Sequence, residues 1–120
     1  MNSPIQVETT DFILQSLSTI GTKLQPKSIY ILMVKSYQCS WCIKYMPTYE
    51  QYATKYPNVG FLLLEASTSG QLLQQWKELD SPAFEVQGYP TLIMYDSQGN
   101  PSHVVADRNQ LDVEIVKMSL

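Results

Sequence analysis

The chain has too few cysteines for a disulfide-held scaffold and too few charges for a disordered one. Two cysteines stand among 120 residues, and charged residues make up 16% of them. A small secreted protein stapled by disulfides carries more cysteine, and a charge-solvated chain exceeds the usual quarter of charged residues. Net charge is −3, with no run of like charge. That leaves no basic stripe for nucleic acid and no polybasic patch for a membrane surface. No apolar run approaches the roughly 18 residues that a spanning helix needs. The longest, at 29–34 and 59–64, are strand-sized. The opening MNSPIQVETTDF carries acids and Pro4 and lacks a basic region ahead of an apolar core. The simplest expectation is an unprocessed cytoplasmic protein, although a chain trimmed of its leader would read the same. No G-x-G-x-x-G occurs, so no pyridine nucleotide, flavin or other cofactor is expected. No metal is expected either, because Cys39, Cys42 and the single histidine, His103, leave zinc one ligand short.

What is present is enough for one packed domain over 1–120, with 44% apolar residues. Residues 9–19 are predicted helical, capped by Thr10 or Asp11, with Phe12, Ile13, Leu17 and Ile20 inward and Gly21 closing. Residues 28–35 are a continuous apolar run, suited to a strand buried on both faces. After Cys39 the period changes. Cys42, Tyr45, Met46, Tyr49, Tyr52, Ala53 and Tyr56 recur at helical spacing, with Pro47 expected to kink that helix and Pro57 to end it. A second buried strand is predicted at 59–65. A helix follows at 69–80, with Leu72, Leu73, Trp76 and Leu79 on one side. Then come a strand at 91–96, a turn at Ser97-Gln-Gly-Asn, a strand near 102–106, and a closing helix at 109–118 with Leu111, Ile115, Val116 and Met118 apolar. A short strand at 5–7 can precede these. The alternation predicts a mixed sheet with helices on both faces.

The chemistry is concentrated at C-x-x-C. Cys39 stands just past a buried strand and just before a helix. Unpaired N–H groups and the macrodipole at a helix start stabilise an anion, so a thiolate there has its pKa drawn below the free value of about 8.5. Cys39 is then the attacking thiolate, and Cys42, one helical turn on, the resolving thiol. The alternative is a pair of buried structural thiols. Trp41 either shapes the surface offered to substrate or packs on its own helix. Lys44 either raises the local positive potential or is simply solvated. The tyrosine series is expected to pack, and His103 to lie on the surface.

With these residues on the page, the chain resembles the thioredoxin superfamily over most of its length. The resemblance rests on strand–C-x-x-C–helix around Cys39-Ser40-Trp41-Cys42. It rests also on Pro47, five residues past the second cysteine, and on Val86-Gln-Gly88-Tyr89-Pro90-Thr91 leading into a strand and hairpin. It implies an α/β, thioredoxin-like three-layer sandwich with a central mixed sheet of four to five strands. Read alone, Pro90 is an ordinary trans proline at a strand start. The resemblance implies a cis-proline facing the cysteines, with the Tyr89 backbone free to pair with an extended substrate strand. Departures accompany it. Gln38 replaces the usual tryptophan before the first cysteine, and Ser40-Trp41 replaces Gly-Pro. Met33 stands where the family has a buried acid, with Phe61 nearest in register to that acid's lysine partner. Glu65 could serve as base through a water, or be an exposed strand-end carboxylate.

The implied activity is protein-disulfide reduction by a monomer that exchanges electrons with disulfide-containing protein substrates and is recharged by an external reductase. No nucleic acid or membrane partner is expected. An oxidase or isomerase would use the same pair in the other direction. A redox-inactive interaction module would keep the fold and lose turnover.

Overall fold

The structure is a computed structural model and describes residues 2–119. A five-stranded sheet runs β1 (Ile5–Val7), β5 (Val59–Glu65), β4 (Ile29–Lys35), β6 (Thr91–Tyr95), β7 (Pro101–Val104) across its width. β1, β5 and β4 are parallel, while β6 and β7 run antiparallel to their neighbours. Central β4 is apolar from Ile29 to Val34 and buried throughout, because both faces are covered. Its even residues, Tyr30, Leu32 and Val34, join one core with Trp76 and Phe84. Its odd residues, Ile29, Ile31 and Met33, join a second core with Tyr45, Tyr49 and Ile115. Strand alternation thus assigns each side of β4 to a different helical layer. α2 (Gly70–Leu79) covers the first face, and α1 (Ser40–Lys55) and α3 (Leu111–Ser119) cover the second.

The segment 9–19, expected to be helical, is not. A single 3-10 turn spans Thr9–Asp11, then β2 (Phe12–Ile13) pairs with β3 (Ser16–Leu17) in a tight hairpin. Buried Asp11 organises the entry: its carboxylate accepts the Glu8 N–H at 2.8 Å and pairs with Lys23 Nζ at 2.8 Å. Phe12 then meets Trp76 edge-on at 5.5 Å, and the Trp76 indole N–H donates to the Leu14 carbonyl at 3.0 Å. These tertiary contacts outweigh a weak local preference in a segment rich in Thr and Ser. Ile13, expected inward, is consequently 67% exposed.

The other helices fall close to their predicted spans, with two corrections to their apolar faces. Leu79 and Val116 are exposed rather than inward. Leu79 closes α2 just before Asp80 turns left-handed, and Val116 lies one position past buried Ile115, off the inward stripe. The 96–100 turn is as expected: the Asp96 N–H donates to Asn100 O at 2.9 Å, and Gly99 takes φ +85°.

Gly60 is dictated by close approach. It lies opposite Tyr30 in the β4–β5 register, and a Cβ there would stand 2.4 Å from the Tyr30 ring. The ring cannot swing aside, because its hydroxyl donates to Gln25 O and accepts from the Lys27 N–H, both at 3.0 Å. Gly60→Ala is expected to lower stability by about 1–3 kcal/mol through overpacking. The urea midpoint measures it, and an unchanged midpoint would show that the ring moves freely.

Candidate active site

The end of β4 delivers the chain directly to the cysteine pair. The Cys39 N–H donates to Ser36 O at 3.0 Å, which tightens the loop, and Cys39 then serves as the N-cap of α1. Its sulfur accepts the Cys42 N–H at 3.2 Å, filling a capping role usually played by an oxygen. Both thiols are free. Cys39 is half-buried and reaches solvent, while Cys42 is 3% exposed.

These positions separate the two thiols chemically. Slight burial works against the Cys39 anion. Hydrogen bonds from the Cys42 thiol and from the Cys42 and Trp41 N–H groups outweigh it, with a smaller contribution from the Arg108 guanidinium, and its pKa falls below the ordinary value. Cys42 moves the other way. Burial and its hydrogen bond to Cys39 push it up to about 11, against weaker lowering by the Ser36 backbone and Lys35. At pH 7, four units lower, only about one molecule in ten thousand carries the Cys42 thiolate. Of the two thiols, Cys39 is therefore the one drawn toward its anionic form.

The residues singled out in the sequence gather around this pair. The Tyr89–Pro90 bond is cis, and the Cys39 thiol donates to the Tyr89 carbonyl at 3.5 Å. The Thr91 hydroxyl donates to Gly88 O at 2.5 Å, tying the loop back on itself. Ser40 opens α1 on the exposed side. Trp41 is 60% exposed, with Lys44 Nζ 5.0 Å from its ring centre. Pro47 lies inside α1, exposed, and removes the donor that would pair with Ile43 O. Tyr37, two residues before Cys39, and Tyr89, whose carbonyl receives the Cys39 thiol, are exposed and add aromatic surface. A groove of about 470 Å³, lined in part by Leu73, Trp76, Phe84 and Val86, opens at Tyr89.

His103 does keep a surface position, its side chain 41% exposed, but its Nε2 is paired to Glu114 of α3. Glu65 is not an exposed strand-end carboxylate. It is half-buried and pairs with Lys35 at 3.1 Å, and it accepts the Ser67 N–H and hydroxyl at 3.1 and 2.8 Å. Burial would raise its pKa, but these partners hold it below the usual carboxylate range. Met33 is fully buried against the α1 side of the sheet, and its β5 register partner is Leu63. The sequence reasoning missed Arg108. The Tyr45 hydroxyl donates to its carbonyl at 2.6 Å, and its guanidinium stands over the Tyr45 ring at 5.7 Å. Its only sequence signal is a cation at the start of the last helical segment.

The architecture that holds this pair, with helices on both faces of a mixed sheet and C-x-x-C at the strand-to-helix junction, is the thioredoxin fold. Spinach chloroplast thioredoxin f in its short form superposes with a TM-score of 0.72 at 20% identity, covering 99% of this chain and 96% of that one. The reduced thioredoxin pre-protein of Schistosoma mansoni gives 0.71 at 15% identity, covering 97% and 98%. Malassezia sympodialis thioredoxin, Mala s 13, gives 0.67 at 17% identity, covering 100% and 94%. No protein-family model and no curated protein sequence matches the chain.

Arg108→Ala is expected to move the pH midpoint of Cys39 alkylation upward, with Arg108→Lys keeping it near the wild-type value. A midpoint unchanged by Arg108→Ala would remove Arg108 from the electrostatics of the thiolate.

Proposed function

We propose that the chain is a thiol–disulfide oxidoreductase acting on protein disulfides, with Cys39 attacking and Cys42 resolving. The carrying observation is the opposite treatment of the two thiols. One is accessible, at a helix start, with a lowered pKa; the other is buried, with a raised one. The Cys39 thiolate attacks a substrate disulfide, forming a mixed disulfide and releasing one substrate thiolate. Cys42 then loses its proton and attacks the Cys39 sulfur, closing the Cys39–Cys42 disulfide and releasing the second substrate thiolate. Two electrons leave the pair and reduce the substrate bond, and the departing thiolates take up the protons. An external reductase would return the pair to the dithiol, in keeping with a reducing, cytoplasmic setting.

Recognition would use the surface around Cys39. The Tyr89 backbone beside Pro90 offers strand-like pairing to an extended substrate, Trp41 supplies an aromatic anchor, and Ser40, Gly88 and Thr91 shape the loops that carry them. Direction depends on the potential of the pair, where each 30 mV is worth about 1.4 kcal/mol. A second reading, a redox-inactive interaction module, is favoured by one observation. Met33 and Phe61, both buried in the α1-side core, put hydrocarbon where the resemblance implies an acid and its lysine partner.

Insulin reduction by dithiothreitol separates the two. The wild-type chain is expected to accelerate it, and Cys39→Ser to return the rate to that of dithiothreitol alone. Cys42→Ser should accumulate a mixed disulfide with substrate, visible on a non-reducing gel. Equal rates for wild type and Cys39→Ser would contradict the oxidoreductase reading.

A further inference from the structure

The α1-facing side of β4 and β5 is hydrocarbon up to Met33 and Leu63. One pleat nearer the cysteines, the next residues on that side are register partners of opposite charge, Lys35 and Glu65. Their Nζ–Oε1 distance is 3.1 Å, and both side chains are largely covered. The pair is built into the cysteine loop. Lys35 is followed directly by Ser36, whose carbonyl receives the Cys39 N–H at 3.0 Å. The Tyr37 N–H, in turn, donates to Glu65 Oε2 at 3.4 Å. Glu65 also accepts from Ser67, so its second oxygen is occupied and the ion pair has a fixed orientation.

We propose that Lys35, held in place by Glu65, is the positioning cation that stabilises the Cys42 thiolate as it forms in the resolving step. This rests on the oxidoreductase reading and names the group that serves Cys42 in place of a buried acid. In that step the Cys42 S–H bond breaks, the mixed disulfide cleaves, the Cys39–Cys42 bond forms, and the departing substrate thiolate takes the proton. No separate base is consumed. The need is for positive charge near a sulfur that is passing from thiol to anion in a buried place.

The other charged and titratable groups around the pair do not supply it. Cys39 on α1 opposes a second anion. Tyr45 on α1 is committed to the Arg108 carbonyl, and Arg108 acts on Cys39. Asp107 caps the turn before α3 by accepting the Asn109 N–H. Glu65 on β5 is held by Lys35 and Ser67. The backbone of Ser36, next to Lys35 in the chain, lowers the Cys42 pKa most, and Lys35 is the side-chain cation whose field adds to it, against the larger opposing effects of burial and of Cys39.

The test separates the two steps with a small aromatic disulfide whose released thiolate is coloured, using the full chain. With Lys35→Met, resolution relative to attack is expected to slow about tenfold at neutral pH, with the pH inflection of that step moving up by about one unit. Lys35→Arg should restore both, and Lys35→Gln should repeat the loss if the methionine variant folds poorly. In a Cys39→Ser background, loss of Lys35 should also move the Cys42 thiol titration upward, a readout that needs no turnover. Unchanged resolution and an unchanged profile in the neutral variants would overturn the proposal. A wild-type chain that reacts with the small disulfide but reduces no protein would instead overturn the proposed function, leaving the Lys35 effect measurable.

Discussion

The hydrogen bond from the Cys42 N–H to the Cys39 sulfur, 3.2 Å long, ties the whole site to one helix terminus. A backbone N–H at the start of α1 would otherwise lack an intrahelical partner. Here a sulfur satisfies it, and the satisfied sulfur is the one drawn toward its anionic form. The same geometry turns the second thiol inward, one turn along the helix, where burial holds it protonated. A single local arrangement therefore caps the helix, favours the anion at one thiol and keeps the other protonated.

That arrangement works only if α1 starts at a fixed place, and the sheet and the tyrosine row provide this. β4 is buried from Ile29 to Val34, so a register slip would carry charged Lys35 into the core. Along α1, the fully buried Tyr49 hydroxyl lies 2.8 and 2.9 Å from the carbonyls of Ile31 on β4 and Leu62 on β5, and shares its proton between them. Tyr45 and Tyr52 reach the carbonyls of Arg108 and Asn109, and Tyr56 reaches Asp112 on α3. Each such bond is worth only about 1 kcal/mol net. Together they fix the helix that carries the thiols against both the sheet and the segment bearing Arg108.

Much of this is legible in the chain, for reasons that differ by element. The runs that became β4 and β5 are unambiguous because both faces of those strands are buried. The α1 face is legible because seven inward positions keep one period, and burial or half-burial is found at each. The C-x-x-C position is legible because a strand ends and a helix begins around it. Residues 9–19 mislead because Phe12 and Leu17 fit a helical stripe equally well, while the forces that decide are the pairing of buried Asp11 with exposed Lys23 and the indole N–H of distant Trp76. Arg108 stays hidden because its link to α1 runs through a backbone carbonyl, which no residue type announces. Lys35 and Glu65 do leave a trace, in two equal apolar runs that end in opposite charges, but only strand register shows that the charges meet.

The central claim is that position alone splits two otherwise identical thiols. Titrating both cysteines of the reduced chain in one experiment, through their isotope-labelled Cβ resonances, tests it most directly. The account predicts a Cys39 midpoint below that of free cysteine and a Cys42 midpoint near 11. Coincident midpoints, or Cys42 titrating first, would contradict it.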